Sequence, residues 1–422
     1  FFNKAAELIA TTEDSVIKNA KNDGGSSESV GEPFDKIIAL LHFGRSGTGL
    51  FHSLIDCHTE VSTLPSIYFS EYFDSSIWGK ITVGGWDEMA DRFISTYPVL
   101  FDANRPDPIP TIGGDIVSMG REEGMTNVGE GRDEALGLDR DRFRGELLDL
   151  MDPYDELDAL VFFKLVHVAY ERVLGNNEDK QVLFYHIHNP NTYAKLNFTR
   201  LAPKAKWMMM VREPIQSCES WVQKCFLEND YLHITNRIVT MLFDVDHVLY
   251  RDRDCVGVRL EDLKEHPKRT MVALCDWMGI CEEESLYEMT AQGKKWWGDP
   301  TSPDFGKRQM SPFGKSSINR KLGSVFSEAD QFVLHTLFYP FSVRFGYIEE
   351  NLDKFKDDLH KVRPMLDNLF DFERLIIERT DADSDQFIRS GSYQYLRVCM
   401  LERWNILNEF QTYPHMLKPL SI

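Results

Sequence analysis

The stretch that most constrains this chain runs Leu40-Leu41-His42-Phe43-Gly44-Arg45-Ser46-Gly47-Thr48-Gly49-Leu50-Phe51. Its first half closes an apolar run from Ile37 to Phe43, the pattern of a buried strand. Its second half opens a run with apolar residues at Leu50, Leu54 and Ile55, the spacing of a helix face. A glycine-rich turn joins them. The first backbone N–H groups of a helix lack intrahelical partners, and the helix dipole favours negative charge there. Strand, glycine turn and helix start together therefore predict an anion cradle. Arg45 adds a guanidinium fork, and Ser46 and Thr48 add hydroxyl donors. The nucleotide-kinase pattern needs Gly, four residues, then Gly-Lys-Ser/Thr. Gly44 and Gly49 have that spacing, but Leu50 and Phe51 follow, so the phosphate-reaching lysine and the Mg²⁺-holding hydroxyl are missing. The dinucleotide Gly-x-Gly-x-x-Gly pattern is also absent. Read alone, the stretch leaves open a turn that merely connects a strand to a helix.

The rest of the chain limits what such a cradle serves. Its 422 residues suffice for one large α/β domain with an appendage, and a hydrophobic content of 42% supplies a sizeable core. No apolar run approaches the roughly 20 residues that cross a bilayer, and no signal-peptide pattern is present. The formal net charge of −20 disfavours nucleic acid, anionic membranes and polyanionic glycans. The seven cysteines are odd in number and contain no Cys-x-x-Cys pair, which indicates neither a disulfide framework nor a zinc site and suits a reducing, cytoplasmic setting. No His/Asp/Cys spacing calls for a metal.

In chain order, residues 1–33 read as a helix and a Gly/Ser linker, and a core domain spans 34–348. Thr63-Leu64-Pro65 begins a second strand. Residues 71–160 read as irregular, with Trp78, Trp86 and an acidic Gly120–Gly137 stretch, and form the natural substrate-side insertion. Two amphipathic helices follow over Asp139–Met151 and Leu157–Leu174. Further strands are expected at Val182–Pro190, Trp207–Val211 and Cys255–Leu260, alternating with helices at Pro214–Leu227 and Lys268–Met278, the latter stopped by Gly279. This alternation predicts an α/β fold with a doubly wound parallel sheet flanked by helices. Ligands in such sheets bind beyond the strand C-termini, where Phe43, His188 and Arg212 fall. Ser302–Ser324 departs from the overall acidity, with Lys307, Arg308, Lys315, Arg320 and Lys321 against Asp304 alone. Ser327-Glu328-Ala329-Asp330 starts a helix. Residues 349–422 form a helical C-terminal extension, for packing or for a homo-oligomer contact.

Several separated stretches now share one resemblance. Gly44–Leu50 resembles the 5′-phosphosulfate loop of the sulfotransferases that use 3′-phosphoadenosine 5′-phosphosulfate (PAPS), in the form with arginine in place of lysine. His186-Ile187-His188-Asn189-Pro190 resembles the Lys-Thr-His-Leu-Pro segment of the cytosolic members, which puts His188 on the catalytic histidine. Val211–Ser220 resembles the 3′-phosphate motif, in which a strand-end arginine and a serine eight residues later bind the nucleotide: here Arg212 and Ser220. Arg259–Pro267 is similar to the Tyr-Glu-Asp-Leu…Pro stretch after the next strand. Ser311–Lys315 and Ser317–Lys321 stand where the family has its last 3′-phosphate contacts, implying Lys315, Arg320 and Lys321. The usual Gly-x-x-Gly-x-Trp-Lys ending is absent, and Gly49 stands where a second threonine is common.

The resemblance implies a P-loop-like sulfotransferase fold and sulfuryl transfer from PAPS to an acceptor, without a metal. Arg45, Ser46, Gly47, Thr48, Gly49 and Leu50 would hold the 5′ end, Arg45 would neutralise the bridging oxygen, and His188 would take the acceptor proton. His186, His42 and Glu71 remain alternative bases. A catalytically silent nucleotide- or partner-binding module is the rival from another class. The insertion carries Glu71, Asp74, Asp87, Glu88 and Asp91 beside its two tryptophans, which leads us to expect a small or medium-sized acceptor, neutral or cationic.

Overall fold

The structure, a computed structural model, describes residues 33–65, 69–105, 119–176, 180–188, 192–244, 253–300, 305, 311–318, 321–409 and 417–422. The expected N-terminal helix and linker lie outside the described residues, as do Asn189, Pro190, Lys307, Arg308 and Arg320.

Five strands form one parallel sheet: β1 (Lys36–His42), β2 (Val61–Thr63), β3 (Val182–Ile187), β4 (Lys206–Val211) and β5 (Cys255–Arg259), in the order β2-β3-β1-β4-β5. Successive strand side chains point to opposite faces, and here both faces are buried. Ala39, Leu41, Leu183, Tyr185, Trp207 and Met209 enter one core, while Ile38, Leu40, Val182, Phe184, Met208 and Met210 enter the other. That is why the strands read as unbroken apolar runs rather than alternating ones. The α/β parallel architecture thus matches the sequence expectation, except that β2 ends at Thr63, where the sequence reading starts it.

Helix ends follow local chemistry. Asp158 accepts the Leu160 and Val161 amides, both at 2.8 Å, to open Ala159–Leu174, which stops at the left-handed Gly175. Ser327 and Asp330 form a capping box on Glu328–Leu337, and Gly279 ends Pro267–Met278.

The segment 71–160 corrects the expectation of an irregular region. It contains the helices Ser75–Thr82, Met89–Thr96, Pro98–Phe101 and Met119–Glu122, ahead of Arg140–Met151 and Ala159–Leu174, the two helices the sequence predicts. Tyr72, Phe73, Phe93, Phe101, Phe143, Phe162 and Phe163 are all buried in mutual ring contact there, joined by Phe69 just upstream. Short aromatic-rich helices carry too few turns to show a period, yet each aromatic ring buries a large apolar area. Within Gly120–Gly137, Met125, Val128 and Leu136 reach the core, and Val128 bridges Glu134.

Beyond Tyr347 the chain forms Leu352–Met365, Asp371–Thr380, Ser384–Arg389 and Gly391–Glu409. These pack on Tyr231–Asp244 and Glu328–Leu337. Residues 417–422 return to β5, where the Gly257 amide donates to Lys418 O at 2.7 Å and the Leu420 amide to Gly257 O at 2.8 Å. Among the described residues, no helix is long and apolar enough to cross a membrane.

The tail is tied in by a buried carboxylate. Glu373 accepts the Tyr231 hydroxyl at 2.5 Å and also pairs with Arg397. Tyr231→Phe leaves that acid short of a donor and should lower stability by about 1–3 kcal/mol, read as a reduced urea midpoint with unchanged slope. An unchanged midpoint would show that the bond contributes nothing to anchoring the tail.

Candidate functional site

The helix after β1, Thr48–Ile55, packs on one face of the sheet through Phe51, Leu54 and Ile55. The helix after β4, Pro214–Leu227, packs on the other through Ile215, Cys218 and Val222. Adjacent strands whose connections leave to opposite faces open a crevice at their C-terminal ends. Here that crevice lies between the glycine turn and Arg212.

In the turn, Gly44 and Gly47 have φ of +56° and +87°, a region that penalises any side chain. Both are also crowded: a Cβ on Gly44 would stand 2.6 Å from Ser217 Oγ, and one on Gly47 2.8 Å from a Leu260 methyl. The Ser217 hydroxyl donates to Phe43 O at 2.8 Å, locking the turn to the opposite helix. Ser46 is buried and its Oγ accepts the Phe43 amide at 3.3 Å, so this hydroxyl braces the turn from within. No side chain caps the helix start. Thr48 is buried in the first turn, Gly49 is exposed and Leu50 half-buried. Arg45 reaches outward, its guanidinium 3.1 Å from Asp299.

Arg212, 2% exposed, is a hub at the end of β4. It donates to Gln216 Oε1 at 3.0 Å, to Arg45 O at 3.4 Å and to the Ser317 carbonyl. The last contact brings the Lys315–Ser317 turn of the basic stretch onto the crevice. Glu219, buried on the same helix, accepts the amides of Gly323, Ser324 and Phe326 at 3.1–3.2 Å and the Ser324 hydroxyl at 2.8 Å. Ser220, half-buried, follows it. Lys315 and Lys321 are exposed to either side of Ser317.

Four imidazoles line the ends of β1 and β3. His188 is half-buried, its amide donates to Ser70 Oγ at 2.8 Å, and its ring stacks on His42 with centroids 4.6 Å apart. His42 in turn meets the edge of Trp221 at 5.1 Å. His186 and His52, both buried, share a hydrogen bond between their Nδ1 atoms at 3.1 Å, so one ring carries that proton and the other accepts it. Burial lowers the His188 pKa to about 4, with the Arg45 charge lowering it further and Asp299 opposing. Burial likewise lowers His52 to about 4 and holds His42 and His186 well below 6.5. All four are therefore neutral at pH 7. Of these, His188 is the one that is not fully buried. Glu71 follows Ser70 in the chain; burial first, then Asp74, raises its pKa.

The other carboxylates of the insertion mostly hold structure. Asp74 caps a helix through the Ser76 amide at 2.8 Å, Glu88 pairs with Arg92 at 2.7 Å, and Asp91 with Arg144 at 2.9 Å. Ser217, Glu219, His52 and Asp299 escape a reading of the sequence. Ser217 lies three positions before Ser220 on one helix and shares its motif. Asp299 meets Arg45 from 254 residues away, with no local signal. Among the described residues no His/Cys/Asp/Glu group is arranged to hold a metal ion.

No protein-family model matches this chain, and no curated protein matches it. Among solved structures, the sulfotransferase domain from the Synechococcus PCC 7002 olefin synthase is similar at 14% identity and a TM-score of 0.38, over 75% of this chain and 98% of that one. A likeness this distant fixes neither activity nor residue roles.

The depressed imidazole pKa values have a consequence for stability. An unfolded histidine takes up its proton near pH 6.5, whereas folded His188 and His52 do so near 4. Their contribution is full above pH 6.5 and is lost as pH falls towards 4, because the unfolded chain binds more protons there. Imidazole ¹⁵N shifts at pH 5.5 should show His42, His52, His186 and His188 neutral, and the urea midpoint should fall between pH 6.5 and 4.5. A charged His188 at pH 5.5 would contradict this account.

Proposed function

We propose that this protein is a PAPS-dependent sulfotransferase that moves a sulfuryl group to a hydroxyl or amine of a small or medium-sized acceptor and releases adenosine 3′,5′-bisphosphate. The observation that carries the reading is convergence. The uncapped helix start behind two positive-φ glycines, the Arg45 guanidinium, the buried Arg212 hub and the half-buried, neutral His188, which feels the Arg45 charge, stand together at the strand ends. The glycine turn fits an anion because a Cβ at Gly44 or Gly47 would collide with Ser217 or Leu260, so the turn is held tight and its amides stay close to the crevice.

Sulfuryl transfer, like phosphoryl transfer, is catalysed chiefly by positioning and by countering charge on peripheral and bridging oxygens. Arg45 has the planar guanidinium fork for that task. Arg212, whose backbone partner is Arg45 itself, ties the two ends of the nucleotide site together. With Ser220, Lys315 and Lys321, and with Arg320 beyond the described residues, it forms the 3′-phosphate end of the reading. His188, neutral at pH 7, accepts the acceptor's proton as the new S–O or S–N bond forms, a role worth ~10²–10⁴-fold. The absence of lysine and hydroxyl after Gly49 argues against a Mg²⁺-dependent kinase. The net charge of −20 favours a neutral or cationic acceptor over a polyanionic glycan.

Two substitutions test the assignment together. Arg212→Ala, or Arg212→Lys if the first fails to fold, should weaken adenosine 3′,5′-bisphosphate far more than adenosine 5′-phosphate by calorimetry. Equal losses would remove Arg212 from the 3′ end. His188→Ala should keep bisphosphate affinity and lower turnover about 100-fold or more. Turnover near that of the unchanged protein would transfer the role to another group. Efficient sulfation of a sulfated polysaccharide, in a screen against neutral and cationic alcohols, would overturn the acceptor class.

A further inference from the structure

Arg45 does not stand alone at the mouth of the crevice. Its Nη2 lies 3.1 Å from Asp299 Oδ2, and the two side chains are 43% and 41% exposed. The carboxylate is delivered by a rigid frame. Trp296 and Trp297 are buried, and their indole N–H groups donate to Glu123 O at 2.9 Å and to Gly129 O at 2.7 Å. Trp297 is flanked by Arg132 at 4.0 Å and by Lys295 at 4.4 Å. The Trp296 ring also faces the glycine-turn helix, 3.7 Å from where a Gly49 Cβ would be. Gly298, at φ +90°, then turns the chain so that Asp299 meets the guanidinium.

We propose that Asp299 is a specificity-setting residue of the anion site: it competes for Arg45 against the phosphosulfate end of the incoming nucleotide. This rests on the nucleotide reading above. Asp299 Oδ2 occupies Arg45 Nη2, one of the donors that a fork on sulfate or phosphate would use, so the two compete for it. The pair is solvent-exposed and hence weak, and a nucleotide that also grips the Arg212 end can displace it. A small anion with no second anchor has only the fork to gain and meets Asp299 there. Once Arg45 turns to the nucleotide, the Asp299 charge remains near His188, on which it already acts in opposition to Arg45.

The test is calorimetric titration of adenosine 3′,5′-bisphosphate, with inorganic sulfate as the small anion, into the intact protein and into Asp299→Asn, Asp299→Glu, Arg45→Ala and the Arg45→Ala/Asp299→Asn double variant. Asp299→Asn should bind the bisphosphate three- to tenfold tighter and gain measurable sulfate binding, while Asp299→Glu should behave as the unchanged protein. In the Arg45→Ala background the Asp299→Asn gain should vanish, since the competition needs the guanidinium. An unchanged affinity in Asp299→Asn overturns the proposal. So does an equal gain with and without Arg45, which would mark a general loss of negative charge. If the unchanged protein binds no bisphosphate, the nucleotide reading itself fails and the proposal falls with it.

Discussion

The C-terminal edge of the sheet depends on how closely the helix after β4 approaches the turn after β1. The Ser217 hydroxyl reaches the Phe43 carbonyl at 2.8 Å, and it does so because Gly44 has no side chain to hold it off. Arg212 adds a second tie across the same gap through the Arg45 carbonyl. With both in place the walls of the crevice are fixed before any ligand arrives. Preorganisation of this kind reduces the ordering cost of binding. Glycine lowers the stability of an unconstrained chain through backbone entropy; here two glycines are what allow the walls to meet.

The net charge of −20 sets many carboxylates against the proposed anion site. Several acids are turned inward to backbone donors. Glu219 takes three amides and a hydroxyl, and Asp56 takes the Thr63 hydroxyl at 3.2 Å and the Gly293 amide at 3.0 Å. Such carboxylates act as staples between distant segments, and their charge is spent on N–H dipoles. Glu219 is the instructive case. It sits on the helix of Arg212 and Ser220 and holds the chain that leaves the basic stretch.

The sheet was legible because strands buried on both faces need no register to be seen: Ile37–Phe43, Val182–Ile187 and Trp207–Val211 are apolar at nearly every position. Helix limits at Pro214, Gly279 and Ser327 were legible because proline, glycine and a capping box act within one turn. The glycine turn was legible for the same local reason. The aromatic core of residues 71–160 was not, since its helices are too short to display a period and its order comes from ring contacts between them. Ser46 reads as a hydroxyl donor in the sequence, and its bracing role, accepting the Phe43 amide inside the tight loop, leaves no local signal. Asp299 was invisible because an ion pair across 254 residues leaves no trace in either neighbourhood. The neutrality of the four histidines was equally hidden: it follows from burial, which single positions in a sequence do not disclose.

Asp330 bears on how the molecule comes apart. Besides closing its own capping box, its carboxylate accepts the Asp371 amide at 2.9 Å and the Phe372 amide at 3.1 Å, the first turn of a tail helix. One side chain thus terminates two helices from different parts of the chain. Neither end can open without uncovering the other, so the tail and the Glu328–Leu337 helix belong to one cooperative opening unit. Amide exchange should then report a shared opening free energy for both helix starts, and the C-terminal helices would exchange as part of the core that carries the crevice.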